Sequence, residues 1–166
     1  MERVPVVNKK DEKIDETTRE ICHAKKLRHR GIHIFIFNKK GEILLQKRSN
    51  SKDEYPSYYE ASVSGHVLAH ENYDDAVLRE MEEELGITVS INELQKIKKF
   101  EMFFGNEHLF VQLYVLFTKK KPKIHDGEVE SFQWISKPNL VKLIKQGKLK
   151  FTPEFLAALE QFMNKK

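Results

Sequence analysis

The residues with the clearest capacity for chemistry lie between Arg79 and Glu84, a run reading Arg-Glu-Met-Glu-Glu-Glu. The apolar spacing predicts a helix over Tyr73 to Leu85. On a helical wheel with Glu80 at the origin, Val77, Met81, Leu85 and Leu78 fall at about 60, 100, 140 and 160°, which is a core-facing stripe. Glu83, Glu80 and Glu84 fall at about 300, 0 and 40°, beside that stripe, while Glu82 at about 200° points elsewhere. Like charges three and four residues apart weaken a helix by a few tenths of a kcal/mol per pair, roughly, and a divalent cation among them would reverse the sign. Hard oxygen ligands of this kind suit Mg2+ or Mn2+. Arg79, at about 260°, could orient one carboxylate through a charge-assisted bond. The plain alternative is a solvated charged face, the usual role of a glutamate-rich helix.

That helix has marked ends: Asn72 is a natural N-cap with Asp75 three residues on, and Gly86 can close the C-terminus. Before it, Ile32–Phe37 and Ile43–Arg48 read as a hairpin across Asn38-Lys39-Lys40-Gly41, and a polar loop from Ser49 to Ser57 leads to a strand at Ala61–Val67. After it, Lys96–Phe104 and His108–Thr118 read as a hairpin across Gly105-Asn106, followed by a strand at Glu130–Ile135. Pro138–Lys145 and Pro153–Met163 are helices that open on proline. The N-terminal part is a short strand at Pro5–Asn8, a charged turn over Lys9–Glu12 and a helix at Thr17–Lys26. Strands with interspersed helices predict an α/β (α+β) fold, with the central helix packed on a sheet.

At 166 residues the chain suits one domain of ordinary core size. Eleven Phe, five Tyr and one Trp supply burial that a disordered chain lacks. The charge of +4 favours anionic partners without specifying one. The basic runs Lys119–Lys123 and Lys142–Lys150 lack interleaved aromatics, so no specific nucleic-acid partner is expected. The longest apolar segments are far too short for a membrane span. A single cysteine, Cys22, excludes an intramolecular disulfide, and the N-terminus lacks a secretory apolar stretch, so a reducing, cytoplasmic setting is expected.

The helix does not stand alone. Gly65, Glu71, Arg79, Glu80, apolar Met81, Glu83, Glu84, Gly86 and apolar Ile87 resemble the signature of the Nudix hydrolases at every specified position. The flanking element order is similar too, so the resemblance covers residues 30 to 165. It implies a Nudix-type α/β/α sandwich with a mixed β-sheet over 31–166, with 1–30 as an N-terminal extension packed on it. It further implies a Mg2+- or Mn2+-dependent hydrolase that cleaves a diphosphate linkage in a nucleoside diphosphate derivative or related organic diphosphate. Carried over by position, Glu80, Glu83 and Glu84 would be metal ligands and Arg79 would orient a carboxylate. Gly65 would leave room at the start of the loop, and Glu71 would brace it. The general base could be Glu83 or Glu84, or come from outside the helix, where Glu107, Glu128 and Glu130 are candidates, each also readable as a surface carboxylate. Lys47, Arg48 and Lys52 could meet phosphate oxygens, or be solvated surface. His66 and aromatic residues including Phe104, Tyr58, Tyr59, Phe103, Phe110 and Trp134 could border the substrate, although most aromatics should be core.

Arg28-His29 through Gly41, with Ser64-Gly65-His66, is also similar to the type 1 isopentenyl-diphosphate isomerases and the hydrolases nearest them. Those isomerases carry a cysteine acid immediately before the matching glycine. Here Ser64 stands there, a poorer acid, and the helix carboxylates that the isomerases mostly lose are complete. His23, His29 and His66 approximate the isomerases' metal-ligand spacing and could hold a second metal, or serve as ordinary polar residues. Two alternatives to hydrolysis therefore stand: a catalytically weak diphosphate-binding module on the same fold, and an isomerase-like activity. The implied partner is a small-molecule diphosphate, and self-association as a homodimer is open.

Overall fold

In a computed structural model, residues 1–124 and 127–164 are described. The order is β1 (Arg3–Val7), β2 (Lys13–Thr18), α1 (Arg19–Ala24), β3 (His29–Phe37), β4 (Ile43–Arg48), β5 (Tyr59–Glu60), β6 (Val63–His66) and α2 (Tyr73–Leu85), then β7 (Leu94–Phe104), β8 (Glu107–Phe117), β9 (Val129–Ile135), α3 (Lys137–Gln146) and α4 (Pro153–Met163). The fold is the expected mixed sheet between helices. β1 and β2 form a two-stranded sheet of their own, and the remaining strands form a seven-stranded sheet in the order β5-β4-β3-β8-β7, with β6 on β3 and β9 on β4.

β3 is the axis of the molecule. It pairs in parallel with β8 along its whole length and antiparallel with β6 from Gly31 to Ile34. Its run of β-branched and aromatic residues is buried on both faces, as a strand covered by helices on two sides must be. Ile32, Ile34 and Ile36 face Val77, Met81 and Leu85 of α2. Phe35 faces the opposite way, onto Phe155, Ala158 and Leu159 of α4. These two apolar clusters make the α/β/α layering.

Two sequence expectations are corrected. β3 and β4 do not form a conventional hairpin: they are paired only at Phe37 and Ile43, then diverge, β3 towards β6 and β8 and β4 towards β5 and β9. Ser62, fully buried, bridges the split, accepting from the Ile36 amide at 2.9 Å and donating to the Leu44 carbonyl at 2.7 Å. One hydroxyl thereby satisfies backbone groups that a closed ladder would have paired. At the N-terminus, the charged turn after Asn8 is present, but the segment that follows it, Lys13–Thr18, is a strand, β2, and the helix is confined to Arg19–Ala24. Cross-strand pairing with β1 overrides the poor strand propensity of Lys-Ile-Asp-Glu.

Elsewhere the local signals are decisive. α2 spans Tyr73–Leu85, closed by the Asn72–Asp75 capping box and by Gly86 in the left-handed conformation. Both proline-opened helices are present, as is the turn at Gly105-Asn106. Among the described residues, no helix is long and apolar enough to cross a membrane.

Candidate functional site

Burial of Val77, Met81 and Leu85 against the sheet sets the rotation of α2, so Glu80, Glu83 and Glu84 line a cleft of about 360 Å3. Arg79 ties the wall together. Its Nε donates to Glu71 Oε1 at 2.6 Å and its Nη2 to Glu71 Oε2 at 3.0 Å, while Nη1 donates to Glu80 at 2.8 Å and to Glu83 at 2.9 Å. Nη2 also donates to the His66 carbonyl at 3.0 Å. Glu71 in turn accepts from the Leu68 amide at 3.1 Å, which braces the loop between β6 and α2. Burial opposes the charge on Arg79, but its bonds to Glu71 and Glu80 outweigh that and raise its pKa above the ordinary range.

Gly65 packs directly on Glu80: a Cβ there would overlap the glutamate carboxyl group. Glu80 is consequently sheltered, and burial pushes its pKa up to about 7 despite the pull of Arg79. A carboxylate so placed is short of positive charge, and a cation beside it would relieve the cost. The oxygen donors of Glu80, Glu83 and Glu84 therefore fit a hard divalent metal.

A second cluster adjoins the cleft, reaching its lining through His66 and Glu107. His23 from α1, His29 from β3, His66 from β6 and Glu107 from the start of β8 bring four ligand atoms within 4.8 Å of one another. Glu107 lies 3.2 Å from His23 Nε2, 3.2 Å from His29 Nε2 and 3.6 Å from His66 Nε2. Yet His23 Nε2, His29 Nε2, His66 Nε2 and Glu107 Oε2 are buried without a hydrogen bond among the described residues. Four such atoms converging are a donor set of the kind that could hold a cation. His29 Nδ1 is 2.9 Å from the Leu27 carbonyl, which orients the ring with Nε2 towards the cluster. Burial disfavours charge on His29, but Cys22 and Glu107 beside it raise its pKa to about 9. Burial lowers those of His23 and His66. Glu107 is opposed by burial too, yet His29 and His66 hold its carboxyl well below the usual range.

The structure brings most of the sequence-derived residues together. Gly65, His66, Arg79, Glu80, Glu83, Glu84, Arg48, Lys52, Glu107 and Glu128 line the cleft. Glu128 is paired with Lys52 at 2.8 Å. Three expectations place differently. Glu130 is paired with Lys47 at 2.7 Å and does not line the cleft. Phe104 packs against the small cluster of Met102, Leu109 and Val111. None of Tyr58, Tyr59, Phe103, Phe110 and Trp134 lines the cleft, whereas Tyr55 does. Also on the lining, and missed from sequence, are Arg19, His33, Gln46, Glu60 and Glu154. Polar residues inside otherwise apolar strands, His33 within Ile-His-Ile-Phe-Ile and Gln46 after Ile-Leu-Leu, were the available signal.

A mixed sheet lies between helices, with a glycine-braced glutamate helix on its cleft. The NUDIX domain family matches residues 27–155, and the chain belongs to that family, whose enzymes act on pyrophosphate bonds and generally use divalent metal ions. It is 30% identical to the Nudix hydrolase YfcD of Salmonella typhi over 99% of this chain and 86% of that one. It is 28% identical to isopentenyl-diphosphate Delta-isomerase 1 of Mesocricetus auratus, over 96% of this chain and 82% of the other. Among solved structures, DR0079 of Deinococcus radiodurans shares the fold with a TM-score of 0.79 at 23% identity, covering 97% of this chain and 99% of that one.

Proposed function

We propose that this Nudix hydrolase is a Mg2+- or Mn2+-dependent pyrophosphohydrolase that cleaves the diphosphate linkage of a nucleoside diphosphate derivative or a related organic diphosphate. The observation that carries this reading is that Glu80, Glu83 and Glu84 share the lining of one cleft with the cations Arg48, Lys52 and Arg19. A diphosphate presents anionic oxygens to both groups: the basic side chains bind it directly, and the carboxylates do so through a metal. The metal, when bound, would neutralise the diphosphate and acidify a water.

The roles of the protein groups follow from their contacts. Arg79 holds Glu80 and Glu83 at fixed separation, and Gly65 admits the Glu80 carboxylate to the cleft edge. Glu83 and Glu84 flank Glu80 and are the proton acceptors for the attacking water, with Glu128 a further candidate on the same cleft. Glu107 would be a ligand of a second metal, because its carboxylate and the Nε2 atoms of His23, His29 and His66 converge within 4.8 Å. Nitrogen-rich donors favour a borderline metal such as Fe2+ or Zn2+ there, distinct from Mg2+ or Mn2+ at the helix acids. In this reading residues 1–30 are an extension that completes the site, since Arg19 and His23 come from it.

Isomerisation needs an acid to protonate an alkene, and Ser64, which lines the cleft beside Gly65, is a poor one. Cys22 is fully buried and does not line the cleft.

The test is product analysis by mass spectrometry, with and without Mg2+, over dinucleoside polyphosphates, nucleotide sugars, NADH, ADP-ribose, nucleoside triphosphates and isopentenyl diphosphate. Metal-dependent cleavage that is lost in Glu83→Gln is the expected result. Rearrangement of isopentenyl diphosphate would overturn the assignment, and saturable binding without any cleavage would support a binding module instead.

A further inference from the structure

Polar side chains at the back of the cleft are left without a task by the chemistry proposed above. His33 and Gln46 are only 5% and 4% exposed and line the cleft. His33 Nδ1 and Gln46 Oε1 are buried with no hydrogen-bond partner among the described residues. Burying a polar atom without a partner is costly, so two on one cleft are informative. They flank the split in the sheet, His33 four residues before the last β3–β4 pair at Phe37 and Gln46 three residues after Ile43.

The orientation of Gln46 is determined. Its Nε2 donates to Glu60 Oε1 at 3.0 Å, and because a carboxylate only accepts, the amide oxygen must be the atom left over. Glu60 is itself clamped by Arg48 Nη1 at 3.0 and 3.3 Å, and Arg48 is anchored on the Glu54 carbonyl at 2.9 and 3.2 Å. Gln46 Oε1 is therefore a rigid acceptor, supported by two further layers of hydrogen bonds. His33 adds an imidazole able to donate or accept according to its tautomer.

We infer that His33 and Gln46, with Glu60 behind them, form a specificity subsite for a hydroxyl-bearing group, a sugar, attached to the diphosphate. Hydroxyls offer both a donor for Gln46 Oε1 and an acceptor or donor for His33, so a sugar, which carries several, suits both orphaned atoms of this cleft. A prenyl chain brings neither and would seal both atoms away from water, the arrangement that sites built on buried polar groups reject most strongly. This inference rests on the reading of the cleft as a diphosphate site.

The test measures dissociation constants by calorimetry, with Ca2+ replacing Mg2+ to suppress turnover, for ADP-ribose, ADP and isopentenyl diphosphate. The wild-type protein should bind at least one sugar-bearing compound tenfold or more tighter than isopentenyl diphosphate. ADP tests the ribose of the nucleotide, and ADP-ribose adds the distal one. Gln46→Met should weaken the preferred sugar compound about tenfold while changing isopentenyl diphosphate less than twofold, and His33→Phe should do the same if Gln46→Met does not fold. Equal binding of all three by the wild type overturns the subsite, as does a loss shared equally by all three in the variants. Hydrolysis with Mg2+ is read separately: selective, Gln46-dependent binding without cleavage supports the subsite and sinks the hydrolase reading alone.

Discussion

Arg79 grips Glu71 with two of its nitrogens, at 2.6 and 3.0 Å, so the helix that carries the acids is tied to the loop that leads into it. The same guanidinium reaches Glu80 and Glu83, leaving one side chain to set the spacing of the acidic wall. Only the planar fork of arginine can hold both oxygens of Glu71 and still bond two further carboxylates.

Arg79→Lys should therefore lower kcat by about 10- to 100-fold, the usual cost of disturbing groups that orient metal ligands. Affinity for substrate should change much less, because the other cations of the cleft are untouched. Steady-state kinetics at saturating Mg2+, with separate kcat and KM, checks this. A lysine variant of wild-type kcat would show that the clamp does not position the site.

Gly65→Ala forces the Glu80 carboxylate to move, since no space exists for a Cβ. The expected outcome is a loss of about 1–3 kcal/mol in stability, as for overpacked sites. Metal affinity should weaken in parallel, which titration of Mn2+ followed by electron paramagnetic resonance would detect.

Burial raises the pKa of Glu80 to about 7 from an ordinary value of 4.5. Because the folded state binds the proton more tightly, this group's contribution to the stability of the metal-free protein is greatest below about pH 4.5 and is lost as pH rises through 7. A divalent cation favours the ionised carboxylate and reverses the trend. The rise in thermal midpoint produced by Mg2+ should accordingly be small near pH 5 and large near pH 8, measured by calorimetry with Mg2+ against a chelator. A rise independent of pH would place the metal away from Glu80.

His66→Ala and His23→Ala each remove one donor from the second cluster, with the acids of α2 left intact. Elemental analysis after dialysis should find about one fewer tightly held transition-metal ion per chain, since a missing ligand costs a borderline metal much of its affinity. Unchanged metal content would return the three histidines to an ordinary polar role.

Glu128 and Glu130 separate cleanly. Glu130→Gln should leave activity within about twofold of wild type, because its carboxylate is paired with Lys47 outside the cleft. Glu128→Gln, on the cleft and beside Lys52, should alter kcat/KM by more than that. Equal effects in a direct kinetic comparison would remove the distinction.

Much of the site was legible in the chain because it rests on local rules. Apolar spacing dictates which face of Tyr73–Leu85 is buried, and that rotation delivers Glu80, Glu83 and Glu84 to one wall. Caps and turn residues mark the helix ends and the Gly105-Asn106 turn. Composition was no guide to β2, whose charged residues became a strand through its pairing with β1. Glu130 and Phe104 are placed by contacts with no local signal: a register shift between Lys47 and Arg48 leaves Glu130 without a partner in the β4–β9 ladder and paired with Lys47, and Phe104 packs on Met102, Leu109 and Val111.

The amino-acid sequence by itself determined the acidic helix, its glycine and arginine supports and the general layering, because helical periodicity, caps and turns act over a few residues. Tertiary structure alone decided what shares the site with that helix. His23, His29, His66 and Glu107 come from four elements, and their ligand atoms meet only because β3 pairs with β6 on one side and β8 on the other while α1 packs beside them. His33 and Gln46 face one cleft because β3 and β4 part after a single pair, with Ser62 satisfying the backbone between them. Such convergences are products of long-range pairing, which closes hydrogen bonds between segments far apart in the chain and has no local signature to read.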